Sequence, residues 1–88
     1  IGKIFDGIIS GVVEFGLFVE INDVLVEGLV KVKDLTDDYY IYDETQYALI
    51  GKYTKKMYRL GDKVKVRVVR VDETMREIDF VLLGKISR

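Results

Sequence analysis

An all-β fold, with five principal strands curled into a small barrel, is what this sequence predicts. Three observations carry that expectation. The first is a two-residue period in hydrophobicity. Leu17, Val19 and Ile21 alternate with Phe18 and Glu20, and Val64, Val66 and Val68 alternate with Lys63, Lys65 and Arg67. Alternate side chains of a strand point to opposite faces, so such stretches bury one face and expose the other. The second is the punctuation, eight glycines and no proline. Glycine inside a strand-like run marks a bend, a bulge or close backbone approach. The third is that no stretch shows a convincing helical period; only a short turn around residues 32–36 breaks the extended pattern.

The elements follow in order. Residues 2–13 read as one long strand, with Ile4, Ile8 and Val12 in one phase, Phe5 and Ile9 in the other, and Gly7 and Gly11 inside it. Apolar residues on both phases with internal glycine suit a curved first strand. A tight turn at residues 14–16 leads into a second strand over residues 16–21. Its Leu17, Val19 and Ile21 take the core and leave Phe18 outward, with Phe15 beside it at the turn. Asn22-Asp23 is a turn signal. Residues 28–32 form a third short strand with Val30 and Val32 inward and Lys31 outward, near Phe18.

All six tyrosines fall in residues 36–60. Tyr39-Tyr40-Ile41-Tyr42 and Gln46-Tyr47-Ala48-Leu49-Ile50 form a hairpin across Asp43-Glu44-Thr45, followed by a third extended piece over residues 52–58. The bland interpretation is an amphipathic β-insertion, tyrosine being a good strand former. Lys52, Lys55, Lys56 and Arg59 between the tyrosines leave open an extended nucleic-acid surface. Gly61-Asp62 turns the chain into a fourth strand, whose phase slips at Val68-Val69 as either a bulge or a strand shared between two halves of a barrel would make it. After a turn over residues 72–75, Ile78, Phe80 and Leu82 alternate with Glu77, Asp79 and Val81 in a fifth. Five curved strands with an extra β-hairpin inserted between strands three and four describe an OB-type Greek-key barrel, whose second and third strands commonly bind oligonucleotides.

Composition narrows the chemistry. Eighty-eight residues make one domain that buries roughly 60–65% of the surface of its unfolded chain. With neither cysteine nor histidine, disulfides, thiolate or zinc sites and histidine acid–base catalysis are excluded. No apolar run approaches the roughly 20 residues of a membrane span, so no membrane association is expected. Asp37, Asp38, Asp43 and Glu44 have no spacing that forces them to converge on a metal, and the single glycines fit no phosphate loop. The expected catalytic, metal and cofactor complement is therefore none. A net charge of −1 and a pI of 5.4 do not advertise nucleic-acid binding, so any such binding must come from local charge placement. Phe15 and Phe18, outward on a sheet, either cover a loop or partner or form a platform on which bases stack, each stack contributing roughly 1–3 kcal/mol. From the start at Ile1 rather than Met, a domain excised from something longer is expected.

Gly7-Ile8-Ile9-Ser10-Gly11-Val12, Phe15-Gly16-Leu17-Phe18-Val19, Glu27-Gly28-Leu29-Val30 and Gly61-Asp62-Lys63-Val64 together resemble an S1 RNA-binding domain, in order and over nearly the whole chain. Asp34-Leu35-Thr36-Asp37-Asp38-Tyr39-Tyr40, Tyr58-Arg59-Leu60-Gly61-Asp62 and Arg76-Glu77-Ile78-Asp79-Phe80 resemble, more narrowly, the S1 domain of the ribonuclease R family. The resemblance implies single-stranded RNA binding with little sequence preference. It implies stacking by Phe15 and Phe18, phosphate contact by Lys31 where the family commonly has a histidine, and phosphate contact or base stacking by Arg76, oriented by Asp72. It further implies a cytoplasmic parent, a hydrolytic 3′-to-5′ exoribonuclease whose catalytic carboxylates and metal lie in another domain. This chain would then be a monomeric substrate-holding module, its partners RNA and the other domains of that parent. The alternative is a protein-docking module of an RNA-processing or ribosome-associated protein, using the tyrosine-rich insertion.

Overall fold

The computed structural model describes residues 1–21 and 26–86. The expected turn at Asn22-Asp23 lies outside the described residues. Among the described residues eight strands form: β1 Ile4–Val13, β2 Gly16–Ile21, β3 Val26–Lys31, β4 Tyr40–Asp43, β5 Ala48–Gly51, β6 Met57–Arg59, β7 Lys63–Asp72 and β8 Glu77–Lys85. The barrel closes in the order β1-β2-β3-β8-β7, and β4-β5-β6 make a separate three-stranded sheet. Every barrel pairing is antiparallel except β3 with β8, which run parallel through Leu29–Asp79 and Val30–Phe80. No helix among the described residues is long and apolar enough to cross a membrane.

The hydrophobic alternation explains the core. Ile9, Leu17, Val19, Val30, Val64, Val66 and Phe80 are all essentially sealed from solvent. A register shift between Ile9 and Gly11 in the β1–β2 ladder swaps the phase of β1, so Ile9 and Val12 both point inward. The phase slip at Val68-Val69 is the bulge, one of the two forms it allowed, with the β7–β8 register shifting between Val68 and Arg70. The third strand ends one residue earlier than its alternation implied. Val32–Asp34 is a single turn of 3-10 helix, held by Val32 N–H donating to Phe15 O at 2.8 Å and Leu35 N–H donating to Val32 O at 3.0 Å. That turn carries Leu35 into the core.

Gly16 and Gly28 are two of the glycines that close approach requires. A Cβ on Gly16 would lie 2.3 Å from Val30 O, and one on Gly28 would lie 2.6 Å from Phe80 Cε2. β3 is thus free to lie tight against β2 on one side and against Phe80 of β8 on the other.

The insertion is the expected hairpin, β4 with β5, widened by the three residues of β6. Its tyrosines divide by face. Tyr40 and Tyr58 are buried, their ring centroids 5.5 Å apart, whereas Tyr39, Tyr47 and Tyr53 are exposed. Burial, then the neighbouring Tyr58 and Asp37, push the Tyr40 phenol above its ordinary range, and its hydroxyl donates to Asp37 at 3.1 Å. The acidic residues hold turns. Asp38 accepts from Thr54 N–H at 2.8 Å and from Thr54 Oγ1 at 2.6 Å. Asp43 accepts from Thr45 Oγ1 at 2.6 Å and from Gln46 Nε2 at 2.9 Å. Asp37 takes Lys56 Nζ at 2.9 Å.

Candidate nucleic-acid interface

The site is built on the outer face of β2 and β3, where the side chains not used by the core emerge. Gly16 pairs with Lys31 and Phe18 with Leu29, so Lys31 and Phe18 share one face, two register positions apart. Phe15 stands at the turn from β1 to β2 and is 58% exposed. The rings of Phe15 and Phe18 sit edge to face, with centroids 6.2 Å apart and planes at 86°. That arrangement suits the aromatic quadrupole and leaves Phe15 open to solvent. Gly11 pairs with Phe18 across the strands, and the absence of its side chain is what lets the Phe18 ring lie against β1. A Cβ there would be 3.3 Å from Phe18 Cδ2.

A cleft of about 380 Å³ runs from these rings across β3 to the β7–β8 turn, and Lys31, Arg70, Arg76 and Asp79 line it. The parallel β3–β8 pairing brings residues far apart in sequence together here. Asp79 Oδ2 lies 3.2 Å from Arg70 Nη1 and 3.6 Å from Lys31 Nζ. Asp79 is itself buried, 9% exposed, while Lys31 and Arg70 keep 41% and 52% of their side chains in water. The outward place that alternation gives Asp79 is correct for the barrel, but the two cations cover it.

Four of the five residues expected at the site, Phe15, Phe18, Lys31 and Arg76, line this cleft. Asp72 stands at its edge with a different partner from the one expected. It was to orient Arg76; instead Asp72 Oδ2 accepts from Arg70 Nη2 at 3.0 Å, and Asp72 Oδ1 accepts from Met75 N–H at 3.0 Å. The physical reason is the turn. Asp72 folds over it to cap Met75, while Arg76 has φ +56°, in the left-handed region that non-glycine residues seldom occupy. Among the described residues Arg76 makes no ion pair. Arg70 is the residue sequence reasoning missed. The bulge after Val68 sets Arg70 directly opposite Asp79 in the β7–β8 ladder. The Val68-Val69 slip was the signal that could have found it. Lys65 and Arg67 lie away from the cleft, and Lys65 pairs with Asp6 at 2.7 Å.

Three cations (Lys31, Arg70, Arg76) face three carboxylates (Glu27, Glu77, Asp79) along the cleft. The site is therefore locally neutral rather than basic, in keeping with the net charge of −1. Ser10, lifted out by the β1 bulge, donates to Glu27 Oε2 at 2.6 Å. An aromatic pair open to solvent, beside the cations of the cleft, can take flat apolar faces and anionic groups at once.

Comparison with known proteins agrees with this geometry. Ribonuclease R of Aquifex aeolicus is 52% identical over the whole chain, and that of Escherichia coli is 45% identical over 96% of it. The chain spans only 12% and 10% of those relatives' lengths. Among solved structures, ribonuclease R of Mycoplasma genitalium in complex with ribose-methylated single-stranded RNA superposes with a TM-score of 0.88 at 30% identity. That match covers 94% of this chain and 13% of that one. The family model described as S1 RNA binding domain matches residues 1–82, and with the closed five-stranded barrel already in view, the chain belongs to the S1 RNA-binding domain family.

Proposed function

We propose that the cleft binds single-stranded RNA with little sequence preference, as the substrate-holding module of a 3′-to-5′ exoribonuclease. The observation that carries this is the exposed Phe15–Phe18 pair opening onto a cleft with Lys31 and Arg76 on its walls. Every base has a π-face, so stacking is tolerant of sequence. Lys31 and Arg76 neutralise phosphates. The high identity to ribonuclease R and the RNA-bound solved relative support the same parent and the same ligand. Hydrolysis belongs to other parts of such a parent, and this module acts on the RNA as a monomer.

The test is a titration of labelled oligouridylate at two salt concentrations, with the wild type and a Phe15→Ala/Phe18→Ala variant. Two phosphate contacts predict a slope of log K against log salt of about −1.4, at about −0.7 per neutralised phosphate on a single strand. Loss of two stacks predicts at least a 25-fold weaker complex, at roughly 1 kcal/mol or more for each. Binding unchanged in the variant would remove the rings from the site. The docking alternative would then rest on Tyr39, Tyr47 and Tyr53, the tyrosines the insertion leaves exposed; Tyr40, buried in the core, is unsuited to such a test.

A further inference from the structure

We propose that Arg70 is a third stacking surface of the cleft, taking a base on the flat face of its guanidinium and not a phosphate on its N–H edge. The proposal presupposes the single-stranded RNA binding argued above and adds to it a contact of defined kind. Both terminal nitrogens of Arg70 are already engaged, Nη1 by Asp79 Oδ2 at 3.2 Å and Nη2 by Asp72 Oδ2 at 3.0 Å. The two carboxylates come from different strands, Asp79 from β8 and Asp72 from the end of β7. They therefore fix the guanidinium plane at two points.

A phosphate approaching that edge would have to displace a carboxylate or lie beside two negative charges. Coulomb repulsion at such separations disfavours it. The face of the group meets no such obstacle. The Arg70 side chain is half in water and lines the same cleft as both phenylalanine rings. Guanidinium planes stack on splayed bases, and the carboxylates that offset the charge leave the plane intact. Lys31 differs although it shares Asp79. Its ammonium is a rotatable point charge without a face, beside Asp79 at a looser 3.6 Å, and with three donors it can meet a phosphate without leaving that carboxylate. The cleft then divides its work: Phe15, Phe18 and Arg70 hold bases, while Lys31 and Arg76 hold phosphates.

The experiment compares Arg70→Lys, Arg70→Gln and Arg70→Ala against wild type, using labelled oligouridylate of about ten nucleotides, within the site sizes one OB fold takes. Thermal melts confirm that each variant is folded. A stacking Arg70 predicts that Arg70→Lys, charged but not flat, weakens binding at least about fivefold, as Arg70→Ala does. Arg70→Gln, flat but uncharged, retains more affinity than Arg70→Lys, and the salt slope of every variant stays that of wild type. Retention of affinity by Arg70→Lys, with Arg70→Ala flattening the slope by about 0.7, would make Arg70 a phosphate contact and overturn the proposal. So would wild-type binding in all three variants. Failure of the underlying function is separately visible, as absent binding by wild type or no effect of Phe15→Ala/Phe18→Ala.

Discussion

Asp79→Asn sets two electrostatic effects against each other, and the structure decides which wins. Asp79 is the buried charged side chain among the described residues, with Arg70 at 3.2 Å and Lys31 at 3.6 Å. Both cations are about half in water, so each pair contributes at the upper end of the roughly 0.2–1 kcal/mol found for exposed pairs. Neutralising Asp79 therefore costs about 1–2 kcal/mol of stability, which for a domain of this size lowers Tm by about 4–16 °C. For RNA, deletion of the carboxylate removes a repulsion. With a phosphate roughly 6 Å away in a water-like dielectric this repulsion is about 0.7 kcal/mol, and salt reduces it further. Against that gain, Lys31 loses its partner and Arg70 keeps only one of the two carboxylates that fix its plane, Asp72, so both regain freedom. Each then pays about 0.5–1.5 kcal/mol when RNA must order it. Two such side chains outweigh the relieved repulsion, and the net is roughly fivefold weaker binding. Fluorescence titration at about 0.1 M salt, with a parallel thermal melt, measures both numbers. Tighter binding by Asp79→Asn would refute the reasoning, because it would show the carboxylate acting as a repulsive charge and not as an anchor.

Two further predictions rest on single contacts. Gly11→Ala puts a methyl 3.3 Å from Phe18 Cδ2, a contact the ring relieves by tilting a few tenths of an ångström. Alanine recovers about 0.5–1 kcal/mol of backbone entropy in a strand, so Tm should hold while RNA affinity drops; equal affinity would show that the orientation of Phe18 is not part of the contact. Asp38 is held well below the usual carboxylate range, first by the Thr54 hydroxyl and then by the Thr54 backbone N–H, and Asp37 is lowered by Lys56. A depressed folded pKa means that stability is fully present above the ordinary value of 3.8 and is lost as pH falls through the folded value. Tm should therefore be flat from neutral pH down to about pH 5 and fall below about pH 4, and Asp38→Asn should make that fall shallower. A variant that tracks wild type throughout would place the acid sensitivity elsewhere.

What was legible in the sequence was what alternation and local turns determine. Leu17, Val19 and Ile21 inward and Phe18 outward follow from a period of two, and the structure places them so. The bulge at Val68-Val69 was legible as a slip in phase. Its consequence was not, because what a shifted side chain meets depends on the neighbouring strand. Arg70 becomes a cleft residue only because β8 lies beside β7 in one register and beside β3 in parallel, which carries Asp79 to Lys31 across 48 positions of sequence. The Asp72–Arg76 pairing failed for a related reason. Spacing along the chain made them neighbours, but the turn sends Arg76 into a left-handed conformation and leaves Asp72 to Arg70 and Met75. Tyr40 looked like its neighbours in the insertion, yet its register opposite Gly51 puts it against Tyr58 in the core.

The balance of charge in the cleft fixes how such a module can work. With equal numbers of cations and carboxylates along its walls, it has little long-range attraction for a polyanion. Counterion release from two phosphates is worth about 25-fold between 1 M and 0.1 M salt, comparable with the least that two stacked bases supply and far below that of a protein making six to ten phosphate contacts. Binding of this kind forgives base identity and depends only weakly on salt, but in isolation it is limited by the few faces on offer. Tethering changes that. A neighbouring site on the same polypeptide that already holds the strand raises its effective concentration at the cleft to the millimolar range for a short linker. A complex too weak to persist alone is then occupied most of the time. Local neutrality is an advantage in that setting, because a strand held by stacking can slip from ring to ring without breaking a lattice of ion pairs.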